Sequence, residues 1–370
     1  LAMPLQIFGQ LVPPVSIDAY GALSNSHYRS VIFDGTYYRV FYRHALFGGN
    51  YVDIFYATLD RFGVLKKIER IGFTENLYVW SHDVYSYPGS TEIFLGYSHG
   101  TLIRARTGTI SGDAISWSSP TSSPDRGTVR TCPVIKSTDN YYWLEEFWPH
   151  QSDKGSSLAN LFSSYCSEFT SSYEVTAQYA RLPDTYVLLL CSNYDDTYIS
   201  WYRHKQNACG ARNNFASKTV NYHLFGKLGL TEDGDGNAHA VYEDTSGYLQ
   251  YKKYTYSSNS WGSAVQLDDD VEKCSIGVDA NSVIFVFWTR PSPDNNIYCK
   301  ISIDKGSNWS NKLTVFTESS HPDCISCEHR SPRSGSLGLA WTLGNEIRFG
   351  IYPPADGAFH VEKREFAGLI

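Results

Sequence analysis

The sequence predicts an all-β chain folded as a single seven-bladed β-propeller. Three observations carry this reading. Short hydrophobic runs come in pairs joined by turn residues, and the pairs recur along all 370 residues at the interval of four-stranded blades. No run keeps helical periodicity over the length a helix requires. Aromatic residues make up 15% of the chain, with 28 Tyr and 9 Trp, against 19% charged residues. That profile suits sheets packed face to face, with Tyr rings in the core and hydroxyls at its edge.

The pairs follow in order. His27 to Phe33 turns at Asp34-Gly35 into Tyr37 to His44, and Trp80 to Tyr87 turns at Pro88-Gly89-Ser90 into Glu92 to Ser98. Arg130 to Lys136 turns through Ser137 to Asn140 into Tyr141 to Glu146, and Glu174 to Arg181 turns at Leu182-Pro183-Asp184 into Tyr186 to Cys191. Leu224 to Thr231 joins His239 to Tyr242 through Asp233 to Asn237, and Cys274 to Val278 joins Val283 to Trp288 through Asp279 to Asn281. Ile325 to Ser331, a Ser334-Gly335 turn and Leu337 to Trp341 complete the set. Most pairs lead into a third run, such as Val52 to Thr58, Thr101 to Arg106, Tyr248 to Tyr254 and Glu346 to Tyr352. Seven units fill the length; six is the alternative count if the third or seventh is a decorated loop. One domain, 1–370, is expected. Residues 1–20 form an N-terminal segment whose apolar run Leu5 to Phe8 is expected to close the last blade near Phe359 to Phe366.

Bulk properties narrow the partners. A net charge of −7 with no basic run argues against nucleic acid, and no hydrophobic stretch is long enough to span a bilayer. The chain begins Leu1-Ala2, as expected after removal of a signal peptide or trimming. The 8 cysteines suit a secreted, disulfide-bearing protein, with Cys191–Cys209 and Cys132–Cys166 the first pairs to test. An extracellular location is the expectation. Asn308-Trp309-Ser310 is a glycosylation sequon.

Metal signals are weak. Cys324-Ile325-Ser326-Cys327 lies between His321 and His329 but lacks a second paired motif, so no metal site is assigned. Asp233-Gly234-Asp235-Gly236-Asn237 opens like a calcium loop, yet Ala238 stands where such a loop requires Gly, which favours a plain hairpin turn. No cofactor is required; a structural calcium elsewhere is left open.

Ser302-Ile303-Asp304-Lys305-Gly306-Ser307-Asn308-Trp309 fits Ser-x-Asp-x-Gly-x-x-Trp at every fixed position. It resembles the Asp box, the hairpin turn repeated through the sialidase superfamily. Short polar side chains there bond the turn's own backbone, Gly takes positive φ, and Trp packs underneath. This turn signals fold, not catalysis.

Candidate chemistry lies in the second unit. His82 opens its inner strand and His99 ends the antiparallel neighbour, so both belong to one end of the blade. Arg104 and Arg106 leave on the next strand. A His opening the inner strand, Tyr97-Ser98-His99, and Leu102-Ile103-Arg104-Ala105-Arg106 resemble the corresponding blade of seven-bladed polysaccharide lyases, the ulvan and rhamnosyl-glucuronate lyases. That resemblance implies histidines flanking a uronic acid at the channel mouth, one of them in proton transfer, and an anionic polysaccharide or oligosaccharide as partner. It makes His82 and His99 the expected catalytic residues.

The chemistry asks for such groups. β-Elimination removes a proton α to a carboxylate, which needs a cation to neutralise the carboxylate and a base to take the proton. Arg29, Arg104 and Arg330 are the candidate carboxylate contacts, with Tyr142 as a substrate-binding candidate and Tyr179 beside it. Two other functions stand alongside. A sialidase-like glycoside hydrolase would use Arg29 in Tyr28-Arg29-Ser30-Val31 with Arg290 and Arg333. A non-catalytic glycan-binding or cell-surface propeller would need no such chemistry. Only the second unit carries the full His–His hairpin, which favours a single site at the channel mouth.

Overall fold

A computed structural model describes residues 13–19, 21–23, 29–46, 51–71, 79, 81–99, 101–123, 133–138, 140–146, 151–167, 175–220, 222 and 224–353. Seven antiparallel sheets form the seven blades of a propeller, so the six-bladed alternative falls away. Among the described residues there is no α-helix, only a short 3-10 turn at Leu158–Ser163.

Each blade runs outward from an inner strand. In chain order the inner strands are Val31–Phe33, His82–Tyr85, Val134–Lys136, Val175–Arg181, Leu228–Glu232, Lys273–Val278 and Asp323–Cys327. We number the blades 1 to 7 accordingly. Every inner strand starts at one mouth of the central channel and ends at the other.

The ring closes by joining the chain's two ends. In blade 7 the outermost strand is Val15–Asp18, antiparallel to Glu346–Tyr352, with Val15 opposite Phe349. The closing strand therefore comes later than the expected Leu5 to Phe8, which lies outside the described residues, as does Phe359 to Phe366. One sheet thus combines an early strand with three late ones, which fastens the first and last parts of the ring together.

Period-two alternation builds the core between blades. In blade 2, Leu95 and Tyr97 pack with Phe41, Ile54 and Tyr56 of blade 1, while Phe94 packs with Trp143 of blade 3 and Tyr179 of blade 4. The same sandwiching continues around the ring, so each blade buries both faces. Trp143, Trp288 and Trp341 are among the largest fully buried side chains.

One strand departs from the hydrophobic pattern. Gln151–Gly155, the third strand of blade 3, is polar at four of five positions and buried throughout. Internal partners satisfy it: Tyr179 Oη donates to Ser152 Oγ at 2.5 Å, and Gln151 Nε2 donates to Asp153 Oδ1 at 2.9 Å.

Cys166 is bonded to Cys209, with Cα atoms 5.4 Å apart. This corrects both pairings first expected. Cys191 is buried and takes no part in this bond, and Cys132 lies outside the described residues.

Candidate functional site

Blade 2 places its chemistry by register. The inner strand His82–Tyr85 runs antiparallel to Glu92–His99, with His82 opposite Tyr97. The next strand, Leu102–Ser111, sets Arg104 opposite Tyr97 and Leu102 opposite His99. Side chains alternate faces along a strand, so His82, Tyr97, His99, Arg104 and Arg106 share the face turned toward blade 1. His99 and Arg104 are diagonal neighbours, a relation that brings Cβ atoms to about 7–8 Å.

Depth separates the two histidines. His82 is fully buried, with Nε2 3.2 Å from Ser30 Oγ and 3.2 Å from the Phe41 carbonyl oxygen. Burial, reinforced by the Arg43 charge, drives its pKa down to about 3, so the ring is neutral under ordinary conditions. His99, at the strand end, is only partly buried. His82 is thus enclosed between blades, while His99 stands partly buried at the end of its strand.

Blade 1 supplies the opposing wall. Arg43 is buried against backbone, donating to the Leu23 carbonyl at 2.9 Å, and burial lowers its pKa to about 10. Asp53 is buried and paired with Arg70, and His44 Nδ1 lies 2.7 Å from Asp18 Oδ2. Tyr97 is buried beside Arg104 and Arg106; burial raises its pKa while the two arginines oppose that shift.

Arg29 fills the channel. Its side chain meets Asp83 through Nε–H···Oδ1 at 3.1 Å and Nη2–H···Oδ2 at 2.5 Å, and Nη1 donates to the Tyr179 carbonyl at 3.4 Å. Nη2 also donates to the Val134 carbonyl. Burial works against the charge, but Asp83 outweighs it and the Arg29 pKa rises. The guanidinium is held as a brace across blades 1 to 4.

The remaining candidates stand at the other mouth. Tyr142 begins the second strand of blade 3, at the hairpin end, and its hydroxyl donates to Glu92 Oε1 at 2.8 Å. Arg330 follows the end of the blade 7 inner strand and lies over the Tyr87 ring, 5.0 Å from its centroid. An inner strand's length, on the order of 15 Å, separates them from His99. The structure therefore joins His82, His99 and Arg104 on one blade face, puts Arg29 in the channel, and places Tyr142 and Arg330 opposite. Arg290 and Arg333 have other partners: Arg290 Nη2 bonds Asp268 Oδ1 at 2.7 Å, and Arg333 Nη1 donates to Tyr38 Oη at 2.8 Å.

Tyr97 entered the sequence reading only within the Tyr97-Ser98-His99 motif, with no role of its own. Asp83 was not singled out and had no signal, because its partners come from blades 1 and 3. Among the described residues no group of three or more His, Cys, Asp and Glu side chains is arranged to hold a metal ion. The Asp233-to-Asn237 loop is a hairpin turn, with Asp233 Oδ1 accepting from the backbone nitrogens of Asp235 and Asn237, both at 2.9 Å.

No family model and no curated protein sequence matches the chain. Among solved structures it resembles an ulvan lyase from a new polysaccharide lyase family, with a TM-score of 0.58 and 11% identity over 91% of this chain and 95% of that one. The likeness is one of fold. The same lyase bound to -[GlcA(1-4)Rha3S]- aligns over the same shares with a TM-score of 0.57 and 11% identity. A protein of unknown function from Desulfotomaculum acetoxidans aligns at 0.51 and 9% identity, covering 80% of this chain and 88% of that one.

Proposed function

We propose that this propeller is a carbohydrate-active enzyme, a polysaccharide lyase that cleaves a uronic-acid-containing glycan by β-elimination at the mouth where the inner strands begin. The observation that carries this is the placement of partly buried His99 and Arg104 as diagonal neighbours on one face of blade 2. In this reaction Arg104 neutralises the uronate carboxylate. Neutral His99 takes the proton from the adjacent ring carbon, the electron pair forms the C=C bond, and the glycosidic C–O bond breaks. The leaving oxygen receives the proton carried by His99. Proton transfer by one positioned side chain contributes about 10²–10⁴-fold in rate. His82, neutral and enclosed, packs the wall behind His99.

The Cys166–Cys209 disulfide supports secretion, where such bonds persist. No helix among the described residues is long and apolar enough to cross a membrane. The turn at 302–309 supports kinship with the sialidase superfamily. Asp304 Oδ1 accepts from Ser302 Oγ and from the Asn308 nitrogen, both at 2.8 Å, and Trp309 packs on Tyr251.

The test is the ultraviolet absorbance of unsaturated uronate, measured on a panel of uronic-acid polysaccharides. Activity lost in folded His99→Ala and weakened in Arg104→Ala is the expected outcome. New reducing ends without absorbance would instead identify a hydrolase. The burial of His82 favours a second reading, a glycan-binding propeller without chemistry; binding with neither signal on any substrate would establish it.

A further inference from the structure

The channel mouth opposite His99 presents two arginines around one exposed aromatic ring. Tyr87, in the turn that follows the blade 2 inner strand, is 36% exposed. Arg181, the last residue of the blade 4 inner strand, sets its guanidinium carbon 4.1 Å from the Tyr87 centroid. Arg330, from blade 7, stands at 5.0 Å. Three blades converge on this point from separate directions around the ring.

Neither Arg181 nor Arg330 forms a direct ion pair with a carboxylate among the described residues; Arg181 bonds the Tyr85 hydroxyl. Buried Glu232 feels the Arg330 charge, but its direct partner is His329, whose Nε2 lies 2.8 Å from Oε2, which also accepts from the Arg181 backbone nitrogen at 3.2 Å. Glu92 is likewise taken, by both Lys136 Nζ at 3.0 Å and Tyr142 Oη at 2.8 Å. Beside Arg181 lies a cavity of about 140 Å³ lined also by Tyr85, Tyr87, Ser90, Asn140 and the Lys136–Glu92 ion pair. Arg181 is thus the cation of this cavity that no carboxylate pairs, with hydroxyl and amide groups and the Tyr87 ring around it.

We propose that this mouth is a second saccharide-binding site, taking the carboxylate or sulfate group of an anionic sugar on Arg181 and Arg330 with the sugar ring against Tyr87. Guanidinium forks bond planar carboxylates and sulfates with charge-assisted hydrogen bonds, and an aromatic face accepts the apolar face of a pyranose. The proposal deepens the reading of the chain as a glycan-active propeller but does not need the chemistry assigned to His99. The two sites would hold one charged polymer at opposite ends of the channel or two separate chains.

Calorimetric titration of the full chain with glucuronate, and separately with inorganic sulfate, tests it. Hydrogen bonds to charged groups are worth enough that Arg181→Gln and Arg330→Gln should each weaken binding roughly tenfold or more. Tyr87→Leu, which leaves both charges in place, should weaken glucuronate while sparing sulfate. Whichever anion binds names the substituent recognised. Affinity unaltered by both arginine substitutions in folded protein, or no binding of either anion, overturns the proposal. Because the ultraviolet assay is read separately, failure here leaves the lyase reading standing, and the reverse also holds.

Discussion

Asp83 grips Arg29 through both main chain and side chain. Its Oδ1 accepts from the Arg29 backbone nitrogen at 2.8 Å and from Nε at 3.1 Å, while Oδ2 accepts from Nη2 at 2.5 Å. The same Oδ2 accepts from the Val134 nitrogen at 2.8 Å, so one carboxylate ties blades 1, 2 and 3 together at the channel. Both groups are buried, where an ion pair is weak evidence of net stability but a broken pair is costly.

Asp83→Asn should therefore lose about 3–5 kcal/mol of stability by leaving the Arg29 charge buried and unmatched. Denaturant unfolding measures it. Replacing both residues with apolar ones should cost less than the single change. A loss under about 1 kcal/mol for Asp83→Asn would show that water or another group replaces the carboxylate.

Arg29 also shows where sequence reading stops. Its place in the first inner run was legible from sequence, although the strand itself begins only at Val31. Asp83 lies 54 residues away on the next blade, and nothing in either segment announces the pair. The blades were legible because hydrophobic pairs and Gly turns repeat; Gly35 and Gly335 take φ of 99° and 79° at the expected turns. Gln151–Gly155 was not, since its burial is satisfied by polar partners rather than by a hydrophobic run. Strand direction alone could have placed Tyr142 at the far mouth, because it opens a second strand. The hairpin put His82 and His99 at one end of the blade, but depth depends on how blade 1 packs, with Ser30 and Phe41 against His82.

Glu328 should give the protein a distinctive pH dependence. It is fully buried, and burial raises its pKa to about 7 from 4.5, against the opposing bonds from Gly338 and Ser331. With the folded value above the unfolded one, the folded state holds the proton more tightly. The stabilisation is complete below about pH 4.5 and is lost as pH rises through about 7. At 1.36 kcal/mol per unit this amounts to about 3 kcal/mol. Glu328→Gln should flatten that decline relative to wild type in denaturant titrations between these limits. Parallel pH profiles for the two proteins would exclude Glu328 as the cause.

The Cys166–Cys209 bond closes a loop across 43 residues, joining blade 3 to the outer part of blade 4. Cys209→Ser should cost about 2–4 kcal/mol, chiefly through the unfolded chain. Wild type melted with reductant should fall to the variant's Tm, while wild type without it should stay above. Cys191, Cys274, Cys299, Cys324 and Cys327 lie outside this bond and are all buried, so they should resist thiol reagents until the fold opens. Rapid labelling of more than one thiol, Cys132 being outside the described residues, would contradict that packing.

Gly306 offers a sharper test of packing. It has φ of +89°, its nitrogen donates to Ser302 Oγ at 2.8 Å, and a Cβ added there would fall 1.9 Å from Tyr251 Oη. Tyr251 has little room to yield. Its ring meets Trp309 edge-on at 4.8 Å, and its hydroxyl lies 2.7 Å from His239 Nδ1, whose Nε2 is 3.1 Å from Asp233 Oδ2. Gly306→Ala should combine the positive-φ penalty with overpacking, about 2–4 kcal/mol in all. Gly335→Ala is the control: φ is +79°, but no atom lies within 4 Å of the added Cβ, so about 1 kcal/mol is expected. Adding Tyr251→Phe to Gly306→Ala should recover part of the loss by removing the clashing oxygen. Equal losses for the two alanine variants would mean that Tyr251 moves aside freely and that the turn is not locked to the His239 pair.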